Sequence, residues 1–247
     1  MSIKKHIPNC ITCCNLISGC IATYYAIYSL YDYALLFIII GAVFDFFDGM
    51  TARLLHVSSP IGKELDSLAD VITFGIAPSA IIFSYLTELC AATNFSLFTL
   101  DSTIPYLAFV LAAFSAVRLA KFNLDERQAM GFIGLPTPAN ALFWGSLIVG
   151  LTEMMPDIAT VSYFDQMSYT PLIVCIIAGI FISSNLLIAE IPMFALKFKT
   201  WGWKGNEIKF IFLLTCIPML LLLGIVGLAA IIAWYVILSV ISNRISK

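Results

Sequence analysis

Charge is what this sequence has least of. Only 11% of its 247 residues are Asp, Glu, Lys or Arg, 61% are hydrophobic, and the mean hydropathy is +0.98. A soluble domain of this length needs far more charge on its surface, so a soluble globular fold is excluded and a polytopic membrane protein is predicted. Histidine is nearly absent, at two residues. The seven cysteines make no disulfide framework, because Cys10, Cys13, Cys14, Cys20, Cys175 and Cys216 lie in or beside apolar runs and only Cys90 falls in an outer loop. Cys10 and Cys13 have CxxC spacing but no second pair or histidine cluster beside them. They are expected to be buried as small apolar side chains rather than to hold a soft metal. His6 and His56 are read as interfacial residues, not catalytic ones. Internal repeats, low-complexity tracts and long linkers are also missing, which leaves one membrane domain as the simplest organisation. No small-residue cleavage site follows Lys4 and Lys5, so the first apolar run is read as an uncleaved span. No nucleic-acid partner is expected.

A hydrocarbon core of about 30 Å takes roughly 20 apolar residues of helix. Eight segments qualify, near 10–30, 33–57, 64–87, 103–122, 137–153, 171–191, 207–223 and 225–242. The fold class predicted is all-α, with about eight transmembrane helices. Little more than Gly224 and Gly227 separates the last two, so one long broken span is the alternative there. With a cytoplasmic N-terminus and alternating helices, all 13 Lys and Arg fall at cytoplasmic ends, from Lys4 and Lys5 to Arg244 and Lys247. The outer loops carry only acids, such as Asp32, Glu88, Asp101, Glu153, Asp157 and Asp165. That is a strong positive-inside pattern, and it places both termini in the cytoplasm.

Against this background, the run FDFFDGMTARLLHVSSPIGKELDSLAD at 44–70 holds four aspartates. At 3.6 residues per turn, Asp45 and Asp48 share one helix face and Asp66 and Asp70 share another. Between them Pro60 disfavours helix at Ser59, and the serines offer local hydrogen bonds, so the chain reverses. A helix hairpin with four facing carboxylates at the cytoplasmic end of spans two and three is predicted. Such a group cannot ionise fully without cations. The all-oxygen donor set favours hard ions, Mg2+ or Mn2+ with Ca2+ as a further option, and four acids suit two of them. Two ions could hold a pyrophosphate during an in-line displacement. Gly49, Ala52 and Gly62 keep the acidic faces low. Arg53 suits bidentate phosphate binding, the bland alternative being a carboxylate pair that staples the hairpin.

The pattern D-x2-D-G-x2-A-R-x8-G-x3-D-x3-D, formed by Asp45, Asp48, Gly49, Ala52, Arg53, Gly62, Asp66 and Asp70, resembles the signature of the CDP-alcohol phosphatidyltransferase family. The resemblance implies transfer of a phosphatidyl group from a CDP-alcohol to an acceptor hydroxyl, with release of CMP. It implies that Asp45, Asp48 and Asp66 hold the metal ions, and that Asp70 touches the second ion and serves as the base. Nucleotide contacts would fall on Gly49, Arg53 and Ser59, with Gly62 in the same CDP-diacylglycerol site. The segment before the first span matches through Pro8 and Asn9, with Thr12 and Asn15 one and two turns further in. A homodimer and a six-helix catalytic core are implied as well, which divides the chain into 1–195 and a C-terminal loop and helix pair at 196–247. A bacterial cytoplasmic membrane is the expected location.

A second polar stretch, VRLAKFNLDERQAMGFIGLPTPANA at 117–141, bears on the acceptor. Its RLAKFN and GFIGLPTPAN segments resemble the serine-accepting branch of that family, with Lys121 where arginine is usual. L-Serine brings a carboxylate beside its hydroxyl, and Arg118, assisted by Lys121 and Asn123, is expected to orient it. As helix-end cations, Arg118 and Lys121 also have a purely structural reading. GLPTP is read as a hinge before span five. WGWKGNEIK is read as an interfacial loop anchored by Trp201 and Trp203. Glycerol 3-phosphate or inositol is the alternative acceptor. An ion transporter is disfavoured, because the acids sit at one membrane face, are not repeated in a second half, and are joined by Arg53.

Overall fold

Each long apolar run forms a helix, because in lipid only internal hydrogen bonding satisfies the peptide groups. The computed structural model describes residues 6–57, 59–93, 103–124, 132–155, 163–194, 202 and 206–245. Lys4, Lys5, Asp101, Arg127, Asp157, Lys197, Lys199, Trp201, Trp203, Lys204 and Lys247 lie outside the described residues, as does the boundary at 195.

Helices α1 (His6–Ile27) and α2 (Tyr31–Leu54) form an antiparallel hairpin. Its turn places Ser29 in the left-handed region at φ 59°, and the Leu30 N–H closes it by donating to Tyr25 O at 3.0 Å. Helix α3 (Pro60–Asp70) passes through a π-helical segment, Val71–Ile76, into α4 (Ala77–Thr93), making one long rod. A 3₁₀ turn, Ile104–Ala108, leads into α5 (Phe109–Leu124). Then come α6 (Thr137–Met154), α7 (Tyr163–Ile188), α8 (Glu207–Leu223) and α9 (Val226–Ile245).

Among the described residues, six rods are long and apolar enough to cross a membrane: His6–Ile27, Tyr31–Leu54, Pro60–Ala92, Ile104–Leu124, Tyr169–Ile188 and Val226–Arg244. The other two expected spans are helices too, but α8 is only 17 residues long and α6, at 18, carries buried Thr137, Asn140 and Ser146. The alternative of one broken C-terminal span does not hold, since α8 and α9 reverse at Gly224, at φ +56°, and pack on each other. Helix α9 also packs on α6.

Helix α4 runs through the core. Ile81, Ile82, Tyr85, Leu86 and Leu89 on α4 are wholly enclosed, and Trp144 of α6 is buried with its Nε1–H donating to Ser183 Oγ at 3.0 Å. The outer surface is apolar, with Ile17, Tyr24, Phe46, Leu68 and Leu221 all exposed. A chain solvated by hydrocarbon gains nothing by hiding such groups. The same inversion corrects the expectation for the cysteines: Cys10, Cys13, Cys14, Cys20 and Cys175 lie on this outer surface, while Cys90, expected in a loop, is buried in α4.

The fold is not purely helical. Strands β1 (Phe132–Ile133) and β2 (Pro192–Met193) pair antiparallel, Phe132 opposite Met193, and clip the start of α6 to the end of α7. Gly134 sits in the clip at φ +76°, where a Cβ would press on the carbonyl oxygens of Leu187 and Ala189. The GLPTP segment thus interrupts helix before α6 as expected, with extended Pro136 at the N-cap.

Candidate active site

The acidic hairpin forms as its spacing predicts. Ser59 takes an extended conformation (φ −142°, ψ 142°), and its Oγ accepts from the Gly62 N–H at 2.9 Å, capping α3 with Pro60 in the first turn. This sets Asp66 and Asp70 opposite Asp45 and Asp48 of α2. One carboxylate oxygen each from Asp45, Asp48 and Asp66 lie within 4.8 Å of one another. Asp70 is buried, 9% exposed, as is Asp48 at 6%, and the Asp45 side chain touches those of Asp66 and Asp70.

Helix α1 closes the site from the third side with a buried stripe of small and polar residues, Pro8, Thr12, Asn15, Ser18 and Gly19. Thr12 Oγ1 donates to Asp48 Oδ2 at 2.6 Å, and Asn15 Nδ2 donates to Asp70 Oδ1 at 3.2 Å. Asn15 is itself fixed, because Thr73 Oγ1 of the π segment donates to its backbone oxygen at 3.0 Å. Thr73 reaches that position only because Gly19 and Gly41 lack side chains: a Cβ on either would collide with it.

The donor set fits a hard divalent ion. Three carboxylates converge, and among the described residues no lysine or arginine lies within ion-pair distance of any of the four aspartates. Asp66 Oδ1 is buried without a hydrogen-bond partner among them. Arg53 does not staple the hairpin; it is exposed, and its Nε donates to Gly49 O at 3.1 Å. Beside the acids opens a cleft lined by Pro8, Asn9, Thr12, Asp48, Gly49, Ala52, Val57, Ser59, Gly62, Lys63 and Asp66. Nothing lies within 4 Å of a Cβ built at Gly49, so its face is open to a ligand. Gly62 differs: its missing side chain leaves room for Asn9 Oδ1 and Ser59 Oγ, which a Cβ would meet at 3.0 and 2.9 Å. Pro8, Asn9, Thr12, Gly49, Ser59 and Gly62 thus share one cleft with two of the acids.

Comparison with known proteins agrees with this arrangement. Residues 5–164 match the profile of the CDP-alcohol phosphatidyltransferase family. The chain belongs to that family. CDP-alcohol phosphatidyltransferases depend on metal, and the acidic cluster could hold one. Relatives named CDP-diacylglycerol--serine O-phosphatidyltransferase include proteins of Bacillus subtilis (strain 168), 39% identical over 54% of this chain and 70% of its own, and of Helicobacter pylori (strain ATCC 700392 / 26695), 34% identical over 55% and 54%. A third, of Methanocaldococcus jannaschii, is 32% identical over 62% of this chain and 65% of its own. The chain thus spans between about half and 70% of the length of these relatives.

Within this phosphatidyltransferase fold, the three residues expected to take the acceptor are dispersed. Arg118 is 7% exposed, within electrostatic reach of Asp70, with its Cζ 6.0 Å from the Phe122 ring centroid. Lys121 is exposed. Asn123 ties α5 to α3, donating through Nδ2 to Ser67 Oγ at 2.8 Å and accepting at its backbone oxygen from Lys63 Nζ at 2.8 Å. His56 is exposed in the hairpin turn at φ 50°. Lys63 in the cleft and Asn15 behind Asp70 were not singled out for roles by sequence. Their signal was the helical stripe itself: Lys63, Asp66, Ser67 and Asp70 recur at i, i+3, i+4 and i+7, and Pro8, Thr12 and Asn15 at i, i+4 and i+7.

Proposed function

We propose that the protein transfers a phosphatidyl group from CDP-diacylglycerol to the hydroxyl of L-serine, forming phosphatidylserine and releasing CMP. The observation that carries the chemistry is the convergence of Asp45, Asp48 and Asp66 without a fixed cation, one helix turn from a buried Asp70 held by Asn15. The names of the relatives support serine as the acceptor. Two divalent ions bound by Asp45, Asp48, Asp66 and Asp70, Mg2+ or Mn2+, would neutralise charge on the pyrophosphate oxygens. Gly49, Ser59, Gly62 and the α1 residues Pro8, Asn9 and Thr12 line the cleft for the cytidine end, with Arg53 at its rim for phosphate. Asn15 occupies one oxygen of Asp70, which leaves the other to take the serine hydroxyl proton. The serine oxygen then bonds to the phosphatidyl phosphorus, and the bond from that phosphorus to the CMP oxygen breaks. Arg118, buried beside Asp70, meets the serine carboxylate, with Lys121 and Asn123 assisting from the end of α5.

The protein is an integral membrane protein, and we place its site at the cytoplasmic surface of a bacterial membrane, with both termini on that side and a homodimer as the assembly. Residues 1–195 form the catalytic part, and the helix pair within 196–247 packs on it through α9 and α6. The test is CMP release by purified protein with Mn2+ across L-serine, glycerol 3-phosphate and inositol. Serine alone is expected to give turnover and a labelled lipid. Turnover with glycerol 3-phosphate or inositol and none with serine would overturn the assignment.

A further inference from the structure

Away from the acidic site, five buried side chains hold a polar atom with no hydrogen-bond partner among the described residues; one, Tyr31 at Oη, starts α2, and the other four lie on α5, α6 and α7. These four are Arg118 at Nε, Thr137 at Oγ1, Ser184 at Oγ, and Asn140 at both Oδ1 and Nδ2. Thr137 is 1% exposed, and Asn140 and Ser184 are fully enclosed. An amide with neither atom paired is costly to bury, and a native interior satisfies nearly all such groups with protein, water or a ligand.

These groups come from neighbouring elements at one end of the bundle. The Leu135 N–H donates to Leu186 O at 3.0 Å, and Trp144 Nε1 donates to Ser183 Oγ at 3.0 Å. Thr137 and Asn140 of α6 lie between Leu135 and Trp144 in the chain, and Ser184 of α7 lies between Ser183 and Leu186. Helix α5, which carries Arg118, packs on α7 and on the π segment that follows Asp70, and α6 packs on that segment too. The elements that carry the unpaired groups thus adjoin one another and the π segment that follows Asp70, with Arg118 within electrostatic reach of Asp70 itself.

We infer that Asn140, with Thr137 and Ser184, forms the recognition pocket for the amino-acid end of the acceptor. This rests on serine being the acceptor. The donor inventory matches a zwitterion: Arg118 supplies the one cation for a carboxylate, while the Asn140 amide offers an oxygen to an ammonium group and an NH2 to an oxygen. A phosphate-bearing acceptor would leave the neutral amide and hydroxyls facing a dianion with one arginine to balance it.

The experiment compares wild type and Asn140→Ala in CMP release, titrating L-serine at saturating CDP-diacylglycerol and then the reverse. Loss of buried bonds to a charged ligand is expected to raise the serine KM roughly 10- to 100-fold, with the CDP-diacylglycerol KM changed less than about threefold. If Asn140→Ala does not yield folded protein, Thr137→Val and Ser184→Ala carry the same comparison, and the same split is expected in at least one of them. A wild-type serine KM in the folded variants, or equal changes in both KM values, overturns this pocket while leaving the activity intact. Wild-type protein that releases no CMP with L-serine overturns the serine assignment and the pocket with it.

Discussion

Asp70 cannot be understood apart from the residues that hold it. Its Oδ1 accepts from Asn15, Asn15 accepts from Thr73, and Thr73 fits only against Gly19 and Gly41. Replacing Asn15 with Leu removes the donor and frees the carboxylate to turn, so kcat is expected to fall by about tenfold or more, with little change in CDP-diacylglycerol binding. Steady-state kinetics beside equilibrium binding reads the split; a lower affinity with unchanged kcat would make Asn15 a binding residue instead. Asp45 stands at the opposite extreme, since it touches both Asp66 and Asp70 and belongs to the converging set. Asp45→Asn is expected to weaken Mn2+-dependent CDP-diacylglycerol binding and turnover together.

At the scale of elements, the hairpin between α2 and α3 depends on Ser59. Its side chain caps α3, so Ser59→Ala is expected to cost about 1 kcal/mol and lower the detergent melting temperature without ligand, while Ser59→Asn retains most of it. A raised CDP-diacylglycerol KM with an unchanged melting temperature would assign Ser59 to the nucleotide alone. Much of this hairpin was legible beforehand, because four aspartates at i, i+3 and i, i+4 around a Ser-Pro turn admit few arrangements. The helical runs were legible for the same reason, lipid length leaving helix as the one way to pair the backbone. What the pattern hid were tertiary facts. The third wall, from α1, depends on Gly19 and Gly41 yielding space to Thr73, which no local signal announces. Helix α6 reads as an ordinary span, yet its polar residues face inward, and the outward cysteines show that apolar character alone does not tell core from lipid.

For the molecule as a whole, the distribution of charge assigns a sidedness that exposure can test. Leu124 at the end of α5 is 85% exposed and Met154 at the end of α6 is 77% exposed. In a cysteine-free background, Leu124→Cys is expected to react with a membrane-impermeant maleimide only from the cytoplasmic side and Met154→Cys only from the other; the reverse would invert the topology. Chelation is expected to silence CMP release, with Mg2+ or Mn2+ restoring it. The acidic hairpin as a catalytic site, with Asp70 the proton acceptor, stands or falls most directly on Asp70→Asn, measured for CMP release and for Mn2+-dependent CDP-diacylglycerol binding in one preparation. Binding within about threefold of wild type, with release slowed at least about 100-fold, is the predicted result. Wild-type release in that variant would contradict it.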